Sequence, residues 1–237
     1  MFTFFTTFLA LSIMIKLFSK ILFILTLLVG SFTVYCQPSD RSIITFGFKS
    51  GVNMSKSFFE PSVSQDIYLR YTGGVVFKFL SEKHAGIQAE VNYSQRGWKE
   101  KLKNGNKYER ALSYFEMPVL THLYWGSDNF KVFLNLGPNL SYLYEEKEDY
   151  SIVDETAIPK YYYRPVDNDF ELALVGGIGL TKLTSSVGDF QLEFRFHYGL
   201  HGLFSSNEVS YSKSQNVIYS ATLSYFVFRK DFKKKNR

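Results

Sequence analysis

Seven ionisable residues, Lys49, Glu90, Arg96, Glu116, Glu171, Glu193 and Arg195, stand at polar positions in segments whose alternate residues are apolar. Carboxylates interleaved with lysine and arginine could do either of two things. They could line a path for ions, or they could pair with one another and hold the strands that carry them in register. Unpaired buried charge is costly, so mixed signs are what a closed and filled interior requires, and a structural charge network is the expectation. The four histidines, His84, His122, His197 and His201, are the next candidates. His201 is followed by Ser205, Ser206 and Glu208, the residue types of a hydrolase. Such an enzyme needs nucleophile, base and orienting carboxylate within hydrogen-bond reach, and no spacing here demands that. No His, Asp or Glu cluster has metal-ligand spacing. Gly176-Gly177-Ile178-Gly179 has the glycines of a phosphate loop without the helix that must follow. The expectation is therefore no catalytic residue, no cofactor and no metal.

The elements that would position these residues follow from a two-residue period. Phe190, Leu192, Phe194, Phe196 and Tyr198 alternate with Gln191, Glu193, Arg195 and His197, which puts large apolar groups on one face of a strand and charges on the other. Similar alternation marks strands over 44–55, 71–80, 85–98, 112–125, 130–144, 169–183 and 216–228, eight in all with 190–199. Short turn-rich links at 81–84, 126–129 and 184–189 alternate with long links at 56–70, 99–111, 145–168 and 201–215. Apolar rows facing lipid, polar rows facing a lumen, an even strand count and alternating link lengths together predict an all-β, eight-stranded antiparallel up-and-down transmembrane β-barrel. Both termini would then be periplasmic and the four long links external. A small soluble barrel would bury its apolar rows instead, leaving Glu90, Arg96, Glu193 and Arg195 outside. Gly137-Pro138 and Pro118 suggest bulges within their strands.

The N-terminus has a different composition. Ile21–Val29 is apolar apart from Thr26, follows Lys16 and Lys20, and leads to Gly30 and Ser31. Residues 1–36 thus read as a signal peptide, with Met14 an alternative start and cleavage between Cys36 and Gln37. The barrel would occupy 37–228 and a basic periplasmic tail 229–237. Cys36 is the single cysteine, so disulfides and thiolate metal sites do not arise. The content of 24 Phe and 17 Tyr in 237 residues suits the aromatic girdles of a barrel. The net charge of +5 includes the two leader lysines and the tail, with no basic stripe between, which argues against nucleic acid as a partner. The link at 145–168 carries Glu145, Glu146, Glu148, Asp149, Asp154 and Glu155, then Tyr161–Tyr163, a combination suited to a solvated loop or a contact surface.

Several segments in order, 47–55, 88–97, 114–120, 135–139, 176–179 and 194–200, resemble the PorT-like outer-membrane β-barrel family of Bacteroidetes. They include Gln88-Ala-Glu-Val-Asn-Tyr-Ser-Gln-Arg-Gly97 and Phe194-Arg-Phe-His-Tyr-Gly-Leu200. The resemblance implies an eight-stranded barrel in the outer membrane. It also links the founding member to type IX secretion and protease maturation. One departure is the basic end after Phe228, where many barrels finish on an aromatic residue. The resulting expectation is a non-enzymatic barrel in the cell outer membrane. It would act through external loops or as an accessory to surface assembly or secretion. Its partners would be outer-membrane lipid and an envelope or secretion-system protein. The alternatives are a small-solute porin and a rim hydrolase or acyltransferase acting on surface lipids.

Overall fold

The computed structural model describes residues 38–60, 65–101, 107–151, 166, 168–184, 188–200 and 213–233. Cys36, Gln37, the leader, the His201–Glu208 group, Asp154, Glu155 and Tyr161–Tyr163 lie outside the described residues. Two compact units are separable, Met1–Ser39 and Asp40–Arg237, and the barrel belongs to the second.

The strands are β1 (Pro38–Glu60), β2 (Gln65–Asp66), β3 (Tyr68–Glu82), β4 (Ala85–Lys101), β5 (Lys107–Gly126), β6 (Phe130–Ser151), β7 (Phe170–Lys182), β8 (Asp189–Gly199) and β9 (Lys213–Lys233). Each stave bonds to its neighbours in sequence, and β1 pairs with both β3 and β9, which closes the ring. The two-residue β2 continues the stave of β3 against β4, so nine segments make eight staves. Closure leaves no sheet edge in the membrane, the condition for β-structure to span lipid.

Side-chain direction follows the alternation in the sequence. Phe48 and Ile178 are 53% and 59% exposed, whereas Gln88 and Glu193 are fully buried. The apolar rows face away from the axis and the polar rows face it. An ordinary soluble fold of this composition would do the reverse.

The strands run further than the sequence pattern suggests. The link expected at 99–111 shrinks to 102–106, because β4 reaches Lys101 and β5 begins at Lys107. Glu145–Asp149, expected in a loop, belong to β6, and Arg229–Lys233, expected in a tail, pair with Arg41–Thr45 of β1. Charged residues are weak strand formers alone, but cross-strand pairs compensate. Lys99 stands opposite Glu109 and forms an ion pair with it. A barrel strand needs about 9–11 residues to cross the hydrocarbon. By that measure β8, with 11 residues, just spans, while β1 and β9, with 23 and 21, project beyond it.

Register shifts occur at Ser113/Tyr114 against β6 and at Phe46/Gly47 against β9. No shift occurs at the expected prolines. Pro118 faces Asn139 and Thr121 faces Leu136 in one continuous register, so the missing N–H of proline interrupts hydrogen bonding without adding a residue. A different irregularity lies between β3 and β4. Their ladder stops at Thr72↔Ser94 and resumes as β2–β4 at Asp66↔Lys99. Across this seam Asn53 Nδ2 donates to the Gln95 carbonyl at 2.9 Å. Ser55 Oγ donates to the Gly97 carbonyl at 2.8 Å and accepts from its N–H at 3.1 Å. Gly97 has φ +147°, a conformation that L side chains rarely adopt.

Candidate functional site

The lumen is the site that the barrel builds, and side chains fill it at three levels. All seven charges expected to face the axis are buried there, divided between two clusters.

The larger cluster centres on Glu90. Its carboxylate accepts from Lys49 Nζ at 2.7 Å, Arg195 Nη1 at 2.8 Å and Asn92 Nδ2 at 2.9 Å, with a second bond from Arg195 Nη2. Arg195 also donates to Glu193 through Nε and Nη2, both at 2.7 Å. Glu193 accepts in addition from Asn135 Nδ2 at 2.7 Å and Gln191 Nε2 at 3.1 Å. Strands β1, β4, β6 and β8 are thus tied across the axis. Gly177 on β7 makes room for this cluster, because a Cβ there would lie 2.6 Å from Glu193 Oε1 and 3.0 Å from Arg195 Cγ. Lys78, a cation not anticipated from sequence, bonds to Gln191 and lies 4.4 Å from the ring centre of Phe226.

The second cluster gathers Arg96, Glu116 and Glu171. Arg96 Nη1 is 3.0 Å from Glu171 and 3.5 Å from Glu116, and the guanidinium lies 3.7 Å from the ring centre of Tyr114. Glu116 pairs in register with Ser141, and Ser141 with Glu171, so the two carboxylates share one row two strands apart. One arginine spans them.

The third level closes the mouth at the long-link end. Arg110 forms ion pairs with Glu146 and, at 3.3 Å, with Glu148, beneath a Tyr108 hydroxyl that donates to Glu148 at 3.1 Å. Fully buried Trp98 donates its indole N–H to Glu100 at 2.8 Å, and the Arg110 guanidinium lies 5.5 Å from its ring. The Val166 N–H donates to Glu146 at 3.2 Å. Apart from Trp98, the last residue of an expected strand, these residues fell in two expected links, 99–111 and 145–168. Extending the even-numbered inward row of β4 past Arg96 to Trp98 and Glu100 would have found two of them.

At the opposite end His122 bonds to Asn135 at 2.7 Å and packs between Tyr124 and Phe133. Beside it lies a cavity of about 30 Å³, bordered by Lys78, Tyr124, Lys131, Asp189 and Arg229, with room for a water molecule. His197 faces the axis and shares a 3.2 Å contact with Ser220 Oγ, while His84 bonds to the Tyr124 carbonyl outside the charge clusters. Among the described residues no group of His, Cys, Asp or Glu is arranged to hold a metal ion. Chemically the arrangement is a cross-brace. Its ionic groups point at one another rather than at an open channel.

Residues 36–205 match the family described as outer membrane protein beta-barrel domain. The chain belongs to that family. As an outer membrane β-barrel protein it takes its place in that membrane, with the greasy wall and ionic axis just described. No curated protein matches the chain. Among solved structures, it is similar to the outer membrane protein OprG from Pseudomonas aeruginosa. That match has 13% identity and a TM-score of 0.47, covering 83% of this chain and 98% of that one. Neisserial surface protein A matches at 9% identity and TM-score 0.39, with 80% and 98% covered. The attachment invasion locus protein Ail of Yersinia pestis matches at 8% and 0.38, with the same coverage.

Proposed function

We propose that this outer membrane barrel is neither a pore nor an enzyme, and that it works through its long-link end as an accessory to surface assembly or secretion. The filled lumen supports this reading most strongly. Arg96, Arg110 and Glu193, one from each level, have no solvent exposure, and ionic bonds cross the axis. A barrel of eight staves has an interior that side chains just fill. The resemblance to the PorT-like family supports a secretion-linked role. The start of β1 and the end of β9 lie with the short links, which supports periplasmic termini, long links outside and an envelope protein as partner. Outer-membrane lipid surrounds the wall, and residues 1–36 act as the removable leader.

Planar-bilayer recording of the purified protein tests the reading. A braced lumen gives no steady open-channel current. Stable, reproducible conductance steps would turn the assignment toward a small-solute porin.

A further inference from the structure

Outside the lumen, the register of β4, β5 and β6 sorts the outward side chains into rows. One row is aromatic. Tyr71, Tyr93, Phe115 and Tyr144 form a ladder of four rings with successive centroids 5.9, 6.0 and 5.4 Å apart. One step toward the long-link end the chemistry changes at once. Gln95 faces Ser113, and Ser113 faces Glu145; beyond them Ala111 faces Lys147. The boundary is hydrogen-bonded, with Gln95 Nε2 donating to the Tyr93 hydroxyl at 3.1 Å and to Ser113 Oγ at 3.3 Å. Lys147 Nζ is 2.9 Å from Glu145, and its side chain is 70% exposed.

An aromatic row giving way to polar rows on a lipid-facing wall marks the height of the lipid headgroups. The surface is continuous with the membrane-facing belt, so what meets it is lipid. Ring faces below suit an acyl chain. Above them Ala111, with a single methyl, stands opposite Lys147, whose ammonium pairs with the Glu145 carboxylate, and the Gln95 amide lies at the same boundary; the Ser113 hydroxyl between them is buried. An ammonium pairs with phosphate, while amide and carboxylate exchange hydrogen bonds with sugar hydroxyls. A phosphodiester lipid with a small headgroup could use the first of these and leave the rest idle.

We propose that the outer wall of β4–β6 binds a phosphorylated glycolipid of the outer leaflet, with its phosphate on Lys147, its sugar hydroxyls on Gln95 and Glu145, and an acyl chain along the aromatic ladder. The phosphate takes over Lys147, and Glu145 turns to accept a sugar hydroxyl. The leaflet assignment rests on the proposed sidedness, long links outside.

The test uses the full-length barrel in phosphatidylcholine nanodiscs containing a minor fraction of lipid A, with retained lipid A counted by native mass spectrometry. The wild type retains lipid A, and Lys147→Glu lowers retention at least about tenfold, the scale of a lost charge-assisted hydrogen bond. Ala111→Trp, which sets a large ring opposite Lys147, has a similar effect, while Lys182→Glu at the other rim has none. All three changes point away from the lumen, so unfolding midpoints stay together and separate misfolding from lost binding. Equal retention by wild type, Lys147→Glu and Ala111→Trp would overturn the proposal. Nanodiscs expose both leaflets alike, so this result is independent of sidedness. Sidedness has its own readout: Asp149→Cys, made with Cys36→Ser, is labelled on intact cells by an impermeant thiol reagent. Absence of labelling there would overturn the leaflet assignment alone.

Discussion

Glu90→Gln is the perturbation that weighs the lumen brace most directly. The central cluster holds three cations, Lys49, Lys78 and Arg195, against two carboxylates, Glu90 and Glu193. Neutralising Glu90 leaves three cations facing one carboxylate, and it leaves Lys49 at most a neutral amide oxygen where it had a carboxylate. Losing one partner of a buried ion pair costs about 3–5 kcal/mol, because the remaining charge stays buried. Lys49→Met is the contrasting change. It leaves two cations and two carboxylates, with Arg195 still bridging both, so its expected cost is below about 2 kcal/mol. The double variant should therefore be more stable than Glu90→Gln alone, a coupling of at least about 1 kcal/mol. Urea unfolding of the protein in lipid vesicles reports these differences, with fluorescence from Trp98 inside the mouth and half-exposed Trp125 outside. The reasoning fails if Glu90→Gln shifts the midpoint no further than Lys49→Met, or if adding Lys49→Met makes matters worse.

Other consequences are equally specific. Gly177→Ala pushes a methyl into Glu193 and Arg195 and should cost about 1–3 kcal/mol, whereas neighbouring Gly176→Ala, whose nearest contact would be 3.9 Å away, should be neutral within about 0.5 kcal/mol. Paired unfolding curves separate the two. Trp98→Ala removes the fully buried ring at the mouth and should cost about 3–5 kcal/mol, yet bilayer recordings should stay silent because the two deeper clusters persist. Ser55→Ala strips the Gly97 backbone of its side-chain partner and should cost about 1–3 kcal/mol. Amide hydrogen exchange should then quicken at Gly97 while the β8–β9 ladder stays protected.

The inside–outside assignment was legible because it depends only on period. Phe190–Gly199 alternates without a break, and the same rows appear in the burial of β7 and β8. What period cannot supply is distance along the axis. Glu90 and Arg195 are 105 positions apart, and only the closed ring and its shear decide that they meet while Arg96 turns to Glu116 and Glu171. Strand ends were the other blind spot. Lys99, Glu145 and Arg229 look like loop or tail residues by composition, and their strand state comes from partners on neighbouring chain segments. The irregularities behaved likewise. Proline advertised a bulge at 137–138, but the shift fell at Ser113/Tyr114, where nothing in the residue types announces it.

A cysteine scan of 190–198 in a Cys36→Ser background, read by a lipid-dissolved quencher of an attached fluorophore, tests the central claim. Quenching should be strong at Leu192, Phe194 and Phe196 and weak at Gln191, Glu193, Arg195 and His197. Uniform quenching along the segment, or the opposite phase, would contradict a wall that is apolar toward lipid and ionic toward the axis.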